Sequence, residues 1–353
     1  MPDSPMPDIV VMTVRGPLPV EDMGTTLMHE HIRLDASSWW HCPSCAERMR
    51  LAERKLEIDM LGELRMDPFL NKDNCMLDDA GLAVAELAQF KDLGGATVVD
   101  PTNVGIGRDP LVLERISTAT GLNIVMGAGF YLEASHPPRV QSMSPEAIAE
   151  EIAREAAQGV DDTGIRIGII GEIGISADFT PAEEKVLRGA ALAAASTQLP
   201  LSVHLPGWER HAHRVLDVAE RAGCNPHSVV LCHMNPSFFD GSYQRELAER
   251  GAFIEYDMIG MDYFYADQQA QCPYDENNAA AIKGLIDDGY IEQVLLSQDV
   301  FLKMMLTCYG GFGYAYILRH FVPRLHRHGV TEEQIVTLLE ANPRRVFSNP
   351  QAL

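Results

Sequence analysis

Six residues able to bind a metal ion or move a proton stand at or near the ends of short apolar runs in this 353-residue chain. They are His29, His31, Glu172, His204, His233 and Asp299. The first two belong to the stretch GTTLMHEHIRLD, residues 24–35. In an extended chain His29 and His31 point the same way and Glu30 points opposite; in a helix they would diverge. Gly24 and the mostly apolar run that follows favour the strand. An ionisable group at the end of an otherwise buried strand needs a reason to be there. Four imidazoles and two carboxylates suit two divalent first-row ions, zinc first by ligand type, with manganese, cobalt or iron(II) as alternatives. Glu172 stands centrally and could bridge the two through its two oxygens. Asp299 is the candidate to accept a proton from an attacking water, and Tyr131 to donate a hydrogen bond to substrate.

The chain contains its own contrasts. His211 and His213 also form H-x-H, but inside ERHAHRVLDVAE, whose period is helical, so they splay apart. His326 and His328 read as a helix C-terminus, where a basic group is favoured. There is no G-x-S-x-G nucleophile elbow and no G-x-x-x-x-G-K-[ST] phosphate loop. Cys42 and Cys45 form a C-x-x-C with no second copy, and read as a reduced loop pair.

The elements that must position the six follow a repeated beat of apolar strand, polar loop and amphipathic helix. Candidate strands are 25–31, 95–102, 123–131, 165–173, 200–205, 229–234, 252–256 and 293–299. Their near-continuous apolar character suits a parallel sheet covered on both faces. Eight such strands with no linker between them predict one (β/α)8 TIM barrel domain over 1–353, with its site at the C-terminal ends of the strands. Residues 36–80, far longer than an ordinary βα connection, predict a lid or substrate loop inserted after strand one, and 257–281 predict a second long loop. Trp39, Trp40, Tyr263 and Tyr265 on these loops are candidates to line an apolar pocket.

A formal net charge of −22 argues against nucleic-acid and anionic-membrane surfaces. The opening MPDSPMPDIVVM lacks the basic start and apolar core of a signal peptide, so a cytoplasmic location is expected.

Taken together, GTTLMHEH, GFYLEASHP, GIIGEIG, SVHLPG, RGAFIEYD, LLSQD, YGGFGY and ANPRRVF make the chain resemble the phosphotriesterase family of the amidohydrolase superfamily. The resemblance runs over nearly the whole chain. It implies a (β/α)8 barrel, two divalent metals with a bridging hydroxide, and a homodimer. By position it places His29, His31 and Asp299 on the buried metal and His204 and His233 on the more exposed one. Glu172 stands where the founding members have a carboxylated lysine, as in the glutamate-bridged, phosphotriesterase-related subgroup. Met258 follows the strand-seven Asp257 where phosphotriesterases and lactonases carry His or Arg, and it joins Trp39, Trp40, Tyr131 and Tyr263 as a candidate substrate contact. The expected activity is dinuclear-metal hydrolysis of a carboxylic ester, lactone or amide in a small molecule. The alternatives are a phosphoester hydrolase on the same site and a non-catalytic metal-containing binding protein.

Overall fold

The computed structural model describes residues 9–43 and 46–348. Cys45, and with it the Cys42/Cys45 pair, lies outside them. Eight parallel strands form in chain order: β1 (Thr25–Leu27), β2 (Gly95–Asp100), β3 (Asn123–Met126), β4 (Ile170–Gly174), β5 (Leu201–His204), β6 (Val229–Leu231), β7 (Phe253–Tyr256) and β8 (Val294–Leu296). Regular ladders join β1 to β3 in one run and β4 to β8 in another. Isolated backbone bonds close the two gaps. Gly168 N–H donates to Met126 O at 3.0 Å and Gly171 N–H to Ala128 O at 2.6 Å between β3 and β4. Between β8 and β1, Asp299 N–H donates to His29 O at 3.1 Å and His31 N–H to Val300 O at 3.2 Å. The result is the TIM barrel.

Alternation along the strands separates two cores. Val99, Val125, Val230 and Leu295 pack together with Val11 of an N-terminal hairpin and Val20 just after it, whereas their neighbours Val98, Ile124, Leu231 and Leu296 join the larger core. That is the period-two division between barrel interior and helix-facing surface. Helices follow the strands where sequence chemistry allows them to start. Pro145–Gln158 begins with proline after a Ser144 cap, and Pro181–Thr197 begins with a Thr180/Glu183 capping box.

The long insertion after β1 is real and partly ordered by pairing: Leu34–Asp35 runs antiparallel to Met76–Leu77, enclosing short helices Ala46–Ala52 and Leu61–Met66. The loop after β7 carries a second small hairpin, Phe264–Tyr265 with Ala270–Gln271. The strands are shorter than the apolar runs suggest. β1 stops at Leu27, before either histidine. Beyond it, side chains take some of the ladder's places. Ser297 Oγ accepts the His29 N–H at 2.9 Å, and Asp100 Oδ2 accepts the Ile32 N–H at 3.0 Å.

Candidate metal centre

The barrel brings all six strand-end residues to one mouth. His29 and His31 leave β1 with ring centroids 5.3 Å apart. Glu30 between them is turned away as alternation requires. Its carboxylate accepts the backbone N–H groups of Gln298 and Val300 at 2.9 and 2.8 Å, so it clamps the end of β8 to the end of β1. Glu172 sits on β4 beside Gly171, whose φ of +125° and close approach to Ser202 O leave no room for a side chain. His233 and Asp299, just past β6 and β8, adopt left-handed backbone at φ +57° and +48°. His and Asp are among the residue types that tolerate this region best.

Glu172 is the shared member. Its Oε1 lies 3.3 Å from His31 Nε2, and its Oε2 lies 3.1 Å from His204 Nδ1, 3.6 Å from His29 Nε2 and 3.7 Å from His233 Nε2. Asp299 Oδ1 is 3.3 Å from His31 Nε2 and 3.8 Å from His29 Nε2. Among the described residues two candidate ligand groups share Glu172, His29–His31–Glu172 and Glu172–His204–His233, and two more share His29, His29–His233–Asp299 and His29–Cys232–Glu255–Asp257, with the donor atoms of each within 4.8 Å of one another.

The donors fit cations. His29 is fully buried and neither ring nitrogen has a hydrogen-bond partner, nor does Asp299 Oδ1. His204 Nδ1 and His233 Nε2 face each other at 2.8 Å. Orphaned buried nitrogens and carboxylate oxygens aimed at one volume are what divalent ions would satisfy. Charges within the cluster act together. Burial pushes the Glu172 carboxyl up, but the His29, His204 and His233 imidazoles outweigh it and hold it well below the usual range. Asp299 is likewise raised by burial and brought below its ordinary value by His31, His29 and His233. Burial and the neighbouring His233 push His204 down.

Partners behind the ligands fix their orientation. His31 Nδ1 lies 2.7 Å from Thr102 Oγ1, and His233 Nδ1 lies 3.0 Å from Asp257 Oδ1, which also accepts the His233 backbone N–H at 3.0 Å. Asp257 was not among the expected site residues, although it obeys the same rule of a carboxylate at a strand's C-terminal end.

The centre opens into a cavity of about 330 Å³. Trp39, Tyr131 and Met258 line it, and the Tyr131 hydroxyl lies 3.3 Å from His204 Nδ1. Two expected substrate contacts are not in the lining. Trp40, in extended backbone after Trp39, turns the opposite way: its Nε1–H donates to Leu70 O at 3.1 Å and Lys72 Nζ sits 4.4 Å over its ring. Tyr263 is buried on the other side of its loop, in a crevice with Val300, Met305 and Phe312. Tyr265 does line the cavity, as do Phe69 and Trp208, which the sequence reading missed. Trp208 lies four residues beyond His204, so nearness to a strand-end ligand was an available signal. Nothing local marks Phe69.

The Phosphotriesterase family matches residues 9–347. The chain belongs to the phosphotriesterase family. A phosphotriesterase-related protein of Nematostella vectensis is 37% identical over 342 residues, covering 95% of this chain and 97% of that protein. An N-acetyltaurine hydrolase of Xenopus tropicalis is 33% identical, with coverage of 95% and 97%. Among solved structures, a resiniferatoxin-binding protein from Rhodobacter sphaeroides superposes with a TM-score of 0.95 at 57% identity, covering 96% of this chain and 95% of that one. This member of the phosphotriesterase family is therefore a hydrolase with a buried His/Glu/Asp metal site.

Proposed function

We propose that the protein hydrolyses a carboxylic ester bond in a small, partly apolar molecule, lactones and amides being the chemical neighbours of that bond. The observation that carries this reading is the six-residue centre opening directly into a cavity with mainly apolar walls. The imidazole-rich donor set favours zinc. Buried, unpaired Cys75, Cys224 and Cys272 support a reducing compartment such as the cytoplasm.

His29, His31, His204, His233 and Asp299, with Glu172 common to both groups, would hold two divalent ions, which when bound would acidify a water and polarise the scissile carbonyl. The remaining work falls to the chain. Asp299, held ionised by its imidazole neighbours, accepts a proton from the attacking water. The water oxygen bonds to the acyl carbon, the acyl–oxygen bond to the leaving group breaks, and Asp299 returns the proton to the departing alkoxide. Acid and alcohol leave for one water consumed. Tyr131, whose phenol is raised well above its ordinary value by burial and by Glu172 and Asp299, stays protonated and can donate to a substrate oxygen. Asp257 keeps the His233 ring in place.

The test is metal analysis of the purified protein followed by a panel of aryl esters, lactones, N-acyl amides and phosphotriesters. About two ions per chain and chelator-sensitive turnover of the carboxylic esters are expected. Glu172→Ala should lose both metal and turnover. Metal-free protein after metal-replete expression, or a Glu172→Ala variant as active as wild type, would sink the reading.

A further inference from the structure

The walls of the cavity have a chemistry of their own. Trp39 stacks on Phe69 with centroids 5.2 Å apart and planes 15° apart, and Phe69 stacks on Tyr265 at 5.5 Å and 18°. Trp208 meets Tyr265 edge-on at 5.8 Å and 77°. These rings come from three separate loops, after β1, β5 and β7, yet form one continuous aromatic wall beside the centre. Outside the centre the polar side chains of the lining are few, Tyr131, Ser176, Gln268 and Asp178 among them, and the charged one, the exposed Asp178, is an acid. Among the described residues, no lysine or arginine lines the cavity.

An anionic substituent placed in this cavity would give up its hydration and find neither a cation nor a cluster of donors away from the centre, with Asp178 repelling it at the entrance. A neutral ring loses nothing comparable, and gains burial plus favourable ring–ring geometry against the wall. A cavity of this size sits at the lower end of those that enclose drug-sized ligands, about 300–1,000 Å³.

From this we infer that the substrate is an uncharged carboxylic ester bearing an aromatic ring, seated against the Trp39–Phe69–Tyr265 wall, and that the site rejects anionic analogues. The inference rests on the hydrolytic reading above but names a ligand class that can be tested apart from turnover. It also separates this chain from the N-acetyltaurine hydrolases it resembles, whose named substrate carries a sulfonate.

The decisive experiment measures binding to the metal-loaded protein by calorimetry. The probes are the ketone analogue of benzyl phenylacetate, which cannot be hydrolysed, and the same ketone carrying a para-carboxylate. The neutral probe should bind at least about tenfold more tightly. Phe69→Ala should weaken the neutral probe by about tenfold through lost stacking and burial. Asp178→Lys, on an exposed loop and therefore safe for folding, should narrow the gap by improving the carboxylated probe. Equal or tighter binding of the carboxylated probe, or a gap unmoved by Asp178→Lys, overturns the inference. Hydrolysis of benzyl phenylacetate is followed separately. Selective binding without turnover would overturn the hydrolytic reading and support the ligand class; equal turnover of neutral and carboxylated esters would do the reverse.

Discussion

At the level of single residues, the centre is built from side chains and from the carboxylates behind them. Asp257 contacts both the ring and the backbone of His233, so it fixes tautomer and direction together. Replacing it with asparagine should lower metal affinity by about 10–100-fold with little change in the thermal stability of the metal-free protein. Competition against a chromogenic chelator reads this directly, and unchanged affinity would show that Asp257 is a packing residue. The six ligand candidates were legible in the sequence because a polar residue ending an apolar run is conspicuous on a barrel strand. Asp257 was harder to single out because Glu255, two residues earlier, looks equivalent on paper. Only the fold shows that both approach His29 Nδ1, Asp257 Oδ2 at 3.6 Å and Glu255 Oε2 at 3.7 Å, while Asp257 also reaches His233.

The elements around the centre hold the insertion in place through ions as well as hydrophobic contacts. Asp73, on the insertion, accepts from Lys303 Nζ at 2.9 Å, from Lys55 Nζ at 2.6 Å and from the Leu56 N–H at 3.0 Å, and Lys303 lies four residues beyond Asp299. Burial raises the Asp73 carboxyl, but the Leu56 N–H and the two ammoniums bring it down from 3.8 to about 2. A carboxyl depressed in the folded state contributes fully above its ordinary value and loses that contribution as pH falls toward the folded one. Asp73→Asn should therefore cost about 2 kcal/mol near neutral pH and almost nothing near about pH 2. Urea midpoints of wild type and variant, compared at each pH so that metal loss is common to both, would reveal this. A constant difference across the range would refute the ionic account. Of these elements the sequence showed the eight strands, the insertion and the β7 loop. It did not show where strands end, because the apolar run continues past Leu27 while the hydrogen bonds pass to the Ser297 and Asp100 side chains. It also could not show that Trp40 turns back onto Leu70, since adjacent tryptophans read alike until the backbone between them is known.

The whole molecule is a barrel joined at two seams by isolated backbone bonds, and those of the β8–β1 seam involve the backbone of His29, His31 and Asp299 themselves, with Val300. Metal binding at those side chains should therefore stabilise the closed barrel, by about 4 kcal/mol when free metal stands some 1,000-fold above its dissociation constant. Chelation should lower the thermal midpoint by several degrees, and re-addition should restore it. A midpoint indifferent to chelator would mean that the centre and the barrel's closure are uncoupled. At this scale the family, the fold and the hydrolytic class could be read from motifs spread along the chain. The aromatic wall could not, because its rings come from loops far apart in sequence that only the closed barrel brings together. That wall also makes the protein its own reporter. Of the chain's three tryptophans, Trp39 and Trp208 line the cavity, while Trp40 turns away under a lysine. Two of the three indole emitters therefore face one pocket, so ligand entry can be followed by intrinsic fluorescence without a label.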